Sequence, residues 1–307
     1  MDIMTSKEYL VKKYLKDLGN NVPLDSSRDY RPVIEPEDTI RGALRKERSC
    51  YDVYFYDLTV KIFPETKSIE GSNRIYFKTT EPTKTIQIDL FPQYNITSIV
   101  WKNKNLNFTR KYGGVFIDFG ELLPADNNED IFIEYNGVPR VAPKPPWNGG
   151  FVWEKEKNRY SVGVACEHLG ASSWWPCKDH LSDKPDSMRI NLLVPSGYRG
   201  ISNGNLRSET PKNDGFTDFE WFVSYPINSY NVTVYMGDYV NFNEQFTNTN
   251  GSYQIDYYVT PKNLEKAKKY YAQTKDILTV FEKNFGEYPF KRDGVGMVEA
   301  PFEGMEH

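Results

Sequence analysis

The chain has 307 residues, with 38 basic and 42 acidic side chains and a formal net charge of −4; no Lys/Arg stripe stands out, which argues against a nucleic-acid partner. Apolar residues make up 39% and no apolar run approaches the length of a membrane span. Aromatic residues at 15%, with 22 tyrosines, tilt the chain towards β structure, because these rings favour pleated, half-buried surfaces.

The N-terminus, MDIMTSKEYLVKKYLKDLG, has no apolar h-region, so no signal peptide is visible in it. Residues 6–18 read as a short amphipathic helix, capped by Ser6 and stopped by Gly19, with Leu10, Val11, Tyr14, Leu15 and Leu18 on one face. Residues 20–46 are polar, hold Pro23, Pro32 and Pro36, and read as an irregular arm. From Tyr51 the period changes to two. Tyr54, Tyr56, Leu58, Val60 and Ile62 alternate with Phe55, Asp57, Thr59 and Lys61, and Pro64–Lys67 turns the chain into a second strand at 68–78.

Further short strands are predicted around 86–90, 96–101, 115–119, 131–135, 160–166, 188–194, 219–225, 231–236 and 253–259. Many short strands separated by Gly, Pro and Asn turns imply antiparallel sheets packed face to face. The proline-rich stretch 137–148 reads as a loop. Near residue 260 the pattern changes again. Thr260-Pro261 opens a helix whose apolar residues, from Leu264 to Phe285, step by three or four, and Gly286 closes it. A strand at 294–298 comes next. The expected domains are therefore a helix and irregular arm at 1–46, a β domain at 47–249 and the incomplete start of an α+β domain at 250–307.

Three segments carry possible chemistry: Cys166-Glu167-His168 with Trp174–His180 after it, Asp183–Met188, and Val298–His307. In the last, Glu299, Glu303 and Glu306 crowd an apolar run; the residues alone leave open a solvated acidic edge or a grip on a cation such as a ligand amine. Glu303…Glu306-His307 lacks the first His of an inverted zinc motif, and the spacing of Cys166, His168, Cys177 and His180 fits no standard zinc knuckle. Three cysteines are too few for a disulfide framework; one bridge or three free thiols remain open.

Taken together, these segments resemble the aminopeptidase N and leukotriene hydrolase family of zinc metallopeptidases, from about Tyr51 to His307. Glu303-Gly304-Met305-Glu306-His307 is similar to the family's G-x-M-E-N exopeptidase motif, with Glu first and His last. Trp175-Pro176-Cys177-Lys178-Asp179 is similar to its Pro-Cys-x-Asp signature, and Glu167 stands where the family carries a Gln or Glu reaching into the substrate site. The resemblance implies a saddle-like antiparallel β-sandwich followed by the start of a thermolysin-like catalytic domain. It implies a zinc aminopeptidase as the parent protein, acting on peptides with a free N-terminus. Glu306 and Glu167 would hold the substrate ammonium, Gly304 and Met305 would pair with the substrate backbone as an added strand, and Glu303 and His307 would flank them. The family's zinc ligands, H-E-x-x-H and a later Glu, do not occur in these 307 residues. The expectation is no catalytic residue, no bound metal and no hydrolysis by this chain alone. The rival reading is a non-catalytic β-sandwich that docks peptides or glycans on Trp147, Trp174 and Trp175.

Overall fold

A computed structural model describes residues 36–249 and 251–304. The helix expected at 6–18, the first part of the arm, and Met305, Glu306 and His307 lie outside the described residues. The end of the arm is not irregular. It forms helix α1 at Pro36–Gly42 and the single turn α2 at Lys46–Ser49. Ile40 and Arg48 are buried, and the Gln87 amide donates to the Ile40 carbonyl at 3.0 Å, so this segment is docked on the β structure.

Strands β1 (Tyr51–Phe63), β2 (Ser68–Thr79), β4 (Tyr94–Trp101), β5 (Lys104–Asn105), β8 (Asn128–Gly137), β11 (Ser187–Pro195), β13 (Asn205–Pro211) and β14 (Phe216–Val223) form an eight-stranded sheet in the order β13-β14-β11-β1-β2-β8-β4-β5. A three-stranded sheet holds β3 (Thr83–Asp89), β7 (Gly114–Leu123) and β6 (Asn107–Lys111). A four-stranded sheet holds β12 (Arg199–Ser202), β15 (Val234–Gly237), β10 (Arg159–Ala165) and β9 (Gly150–Glu156). Their inner residues, among them Leu58, Ile88, Ile133, Val164 and Ile190, share one core. All pairs here are antiparallel except β1 with β11, which run parallel at the centre of the large sheet.

The β1–β2 hairpin forms where the alternation predicts it. A bulge between Val53 and Phe55 shifts the register, so Val53 and Tyr56 point into the core while Tyr54 does not. Leu58, Val60 and Ile62 are fully buried beyond it, as the two-residue period requires.

The second part of the chain is a three-stranded sheet of β16 (Val240–Asn248), β17 (Gly251–Val259) and β18 (Val295–Val298), with β17 and β18 parallel. The expected division at 249/250 falls on the β16–β17 turn; sheet membership groups 240–248 with β17 and β18 instead of with the β domain before it. The predicted single helix is two: α3 (Leu264–Tyr271) and α4 (Thr274–Phe285), broken at Ala272-Gln273. Gly286, at φ +96°, ends α4 as expected. Tyr271 and Leu278 pack on the sheet with Ile255 and Tyr257, whereas Ile277, Val280, Phe281 and Phe285 stay exposed. Several contacts tie this part to the large sheet, among them Trp221 meeting Tyr258 edge to face, Asp293 accepting from the Ser224 N–H at 2.7 Å and the Asn205 amide donating to the Arg292 carbonyl at 2.7 Å. Among the described residues no helix is long and apolar enough to cross a membrane.

Candidate functional site

Strand β10 delivers Glu167. After Ala165 the chain closes a tight turn, with the Leu169 and Gly170 N–H groups donating to the Cys166 carbonyl at 2.9 and 3.0 Å. His168 sits at φ +62°, a left-handed conformation in which a β-carbon is strained, and Gly170 comes two residues later at φ +80°. Arg41 of α1 donates to the Leu169 carbonyl at 2.5 Å. The turn is therefore fixed from several sides, and Glu167 rides on it.

The Glu167 carboxylate is half-exposed. The Tyr230 hydroxyl donates to Oε2 at 3.0 Å, and His168 Nε2 lies 3.5 Å from Oε1. A carboxylate offers about four acceptor positions, so capacity remains for a cationic ligand. Tyr230 lies 63 residues further on, in a single 3-10 turn at Ser229–Asn231, and no sequence signal marks it.

The Pro-Cys-x-Asp signature lies beneath this turn as its support. Asp179 Oδ2 accepts from the Ser172 N–H at 2.9 Å and the Ser172 hydroxyl at 2.6 Å. It also crowds Gly170, where an added β-carbon would lie 2.5 Å from Oδ2. Cys177 pairs with Asp89 through both backbone groups, and the Asp89 carboxylate accepts from the Asp179 N–H at 3.2 Å while meeting Arg48 at 2.6 Å. Cys50, Cys166 and Cys177 are all buried thiols, and no disulfide links them. Trp174 and Trp175 are wholly buried, Trp175 edge to face with Tyr56, which removes them as a docking platform. His180 bonds Ser182 at the surface.

Of the three C-terminal acids, Glu299 is structural. Its carboxylate accepts from the Thr260 N–H at 2.8 Å and the Asn263 amide at 2.7 Å, anchoring the turn that starts the helix; Thr260 itself makes no side-chain cap. Glu303 is exposed. The strand ends at Val298, and residues 301–304 are bends rather than a continuing strand. They cross the four-stranded sheet: Pro301 stands 3.1 Å from where Gly163 would carry a β-carbon. Gly304, at φ +110°, abuts Pro146, whose Cδ would lie 2.8 Å from a β-carbon there, so the position requires glycine both for conformation and for space. A cleft of about 1400 Å³ opens between the β16–β18 sheet and strands β12–β15. Phe302 and Gly304 line its wall and Glu167 does not.

One loop touches both the Glu167 turn and Gly304. Residues 138–149 meet Gly304 through Pro146 and Trp147, and Gly149 presses on the backbone after β10, a β-carbon there lying 2.9 Å from the Glu167 carbonyl. Among the described residues no three His, Cys, Asp or Glu side chains gather in a way that could hold a metal ion.

The Peptidase M1 N-terminal domain family matches residues 53–231, more than half of the chain. The chain belongs to the M1 peptidase family. A curated relative is glutamyl aminopeptidase of Sus scrofa, 23% identical over 269 residues; the match takes in 82% of this chain and 28% of the relative. A two-domain M1 zinc metallopeptidase mutant bound to L-tryptophan shares the fold with TM-score 0.70 at 19% identity, covering 83% of this chain and 58% of that one. An M1 zinc metallopeptidase from Deinococcus radiodurans gives TM-score 0.67 at 18% identity over 83% and 57%. This M1 chain thus spans little over half the length of those structures and less than a third of the curated relative.

The support beneath the M1 signature has a pH dependence of its own. Burial pushes the Asp89 carboxyl up to about 6, with Arg48 and the Gln87 amide pulling the other way. A carboxyl with a higher pKa folded than unfolded contributes stability that is complete below its unfolded value, about 4, and is lost as pH rises through its folded value. Relative to Asp89→Asn, the wild-type chain is therefore expected to lose about 2 to 3 kcal/mol between about pH 4 and pH 7, read by urea unfolding. A flat difference across that range would show ordinary acidity at Asp89.

Proposed function

We propose that this chain is the substrate-amine recognition portion of a zinc-dependent aminopeptidase that removes N-terminal residues from peptides. The supporting observation is the Glu167 carboxylate, half-exposed, oriented by Tyr230 and joined through one loop to Gly304. A free α-ammonium is held by charge-assisted bonds to carboxylates. In this reading Glu167 supplies one, and Glu306 the other, with Gly304 and Met305 offering backbone to the substrate and Glu303 and His307 at the margin. Residues up to about 239 form the saddle-like β domain, and the β16–β18 sheet with α3 and α4 begins the catalytic domain.

The zinc of the family polarises the scissile carbonyl and activates water when bound. The described residues present no ligand set for it. The sequence contains no H-E-x-x-H, and no hydrolysis is expected of these 307 residues alone. Zinc-dependent release of an aminoacyl reporter by the purified chain would overturn that part.

Calorimetric titration tests amine recognition. A tripeptide amide with a free N-terminus is expected to bind this chain, and its N-acetylated form to bind at least about tenfold more weakly. Glu167→Gln should cost the free-amine peptide about 1.5 to 3 kcal/mol and leave the acetylated one unchanged. Equal affinity for the two peptides would refute the reading.

A further inference from the structure

We infer that His168 is a second contact for the substrate's α-ammonium, its neutral ring sharing the cation with Glu167, and that a proton on the ring turns this contact into a competitor. This rests on the amine reading of Glu167 and needs no other carboxylate.

Consecutive side chains on a strand point to opposite faces. Glu167 and His168 come just after β10, where the chain has left the strand, and His168 holds a left-handed backbone at φ +62°. Here the two side chains meet: His168 Nε2 lies 3.5 Å from Glu167 Oε1. A direct hydrogen bond spans about 2.7 to 3.2 Å, so this separation leaves room for one donor to touch both atoms. An ammonium carries three N–H donors and no acceptor, which suits a carboxylate oxygen and a ring-nitrogen lone pair side by side. The tautomer with its proton on Nδ1 presents that lone pair at Nε2. The second carboxylate oxygen, Oε2, accepts from the Tyr230 hydroxyl at 3.0 Å, and this bond holds Oε1 on the His168 side. The His168 and Glu167 side chains are 67% and 41% exposed, so a peptide terminus can reach them.

The other charged groups around this turn are engaged elsewhere. Arg41 of α1 donates to the Leu169 carbonyl, Asp179 beneath the turn accepts from Ser172, Arg140 bonds Asn148, and Lys144 lies over the Trp147 ring at 5.9 Å. Among the described residues Glu167 is the one acid within 4.0 Å of the imidazole. A protonated imidazole has donors at both nitrogens and no lone pair. It then occupies Oε1 itself and repels an arriving ammonium. Peptide and ring proton are therefore linked, and each weakens the other by the same factor.

Calorimetry of this chain with Ala-Ala-Ala amide and its N-acetylated form, between pH 7.0 and about 5.5, tests the inference. In this window free peptide amines stay charged while imidazoles change charge. Free-amine affinity is expected to fall about fourfold from the upper to the lower pH. His168→Asn tolerates the left-handed backbone and cannot gain a proton; it should reduce that fall to below about 1.5-fold. His180→Asn should leave the fall unchanged. Saturating peptide should also lower the pH at which the His168 ring resonance titrates, by about one pH unit. A flat wild-type profile, an equal fall in His168→Asn, or a His168 resonance that peptide does not move overturns the proposal and leaves the amine reading standing. If the acetylated peptide binds as tightly as the free one at neutral pH, the amine reading fails and the inference fails with it. Absence of binding by either peptide counts against both.

Discussion

Replacing Asp183 by alanine is expected to cost the fold about 3 to 5 kcal/mol, read as a fall in the urea midpoint, although the residue touches no ligand. Asp183 pairs with the Lys178 ammonium, and the two side chains are 2% and 5% exposed. Lys178 also donates to the Tyr51 carbonyl at 2.5 Å, and its N–H donates to the Tyr56 hydroxyl at 3.1 Å. Burial raises the Asp183 carboxyl's pKa and the Lys178 charge opposes that rise, so each ion is tolerated in the core because the other is there. Removing one leaves an uncompensated buried charge, which is far costlier than removing both. A Lys178→Met, Asp183→Leu double variant is accordingly expected to recover most of the loss. A single variant that unfolds within about 1 kcal/mol of wild type would show that the pair holds nothing together.

Asp179→Ala is expected to cost about 3 to 5 kcal/mol of stability and to weaken free-amine peptide binding at least about tenfold. Its carboxylate accepts from the Ser172 N–H and hydroxyl, both buried donors that alanine would leave unpaired. The Asp179 carboxylate also fills the space beside Gly170. The turn from Cys166 to Ser173 would lose the anchor that aims Glu167. Asp179→Asn keeps one acceptor oxygen and is expected to restore about half of the stability. Unfolding curves and peptide titration on the same two variants separate the effects. Full stability with lost binding would make Asp179 a ligand contact, contrary to its place beneath the turn.

Much of the β domain is legible in the sequence because a two-residue period survives burial on one face. The β1–β2 hairpin and the strands around Ile131 and Ile190 form where the alternation places them. Tyr54 misleads because a bulge inserts one residue and turns the following side chains over, and nothing in a local pattern announces an unpaired residue. Strand β16 carries only a thin periodic signal, Val240, Phe242 and Phe246 alternating among Asn, Glu, Gln and Thr; pairing with β17 over its whole length supplies what propensity does not. The helix after Thr260 has continuous apolar spacing, yet it breaks at Ala272-Gln273. The expected site is legible only through resemblance. Glu167 is a half-exposed carboxylate on a pinned turn, but its orientation comes from Tyr230, which only the fold brings near. Glu299 reads in the sequence as a third member of an acidic cluster and is instead the anchor of a helix start.

The parallel pairing of β1 with β11 bears on how the chain is made. Asp57 and Arg189 are register partners and an ion pair, 132 residues apart in sequence. During synthesis at about 5 to 20 residues per second, β1 leaves the ribosome with one flank covered by β2 and the other open for many seconds. That open flank is an unpaired strand edge of the kind that recruits other chains. The segment carrying Glu167 and the Pro-Cys-x-Asp signature is translated inside that interval, before β11 closes the sheet over it. A slow stretch of codons between 140 and 186 would delay residues 187–195 and lengthen the exposure, and more aggregate during expression is the expected result.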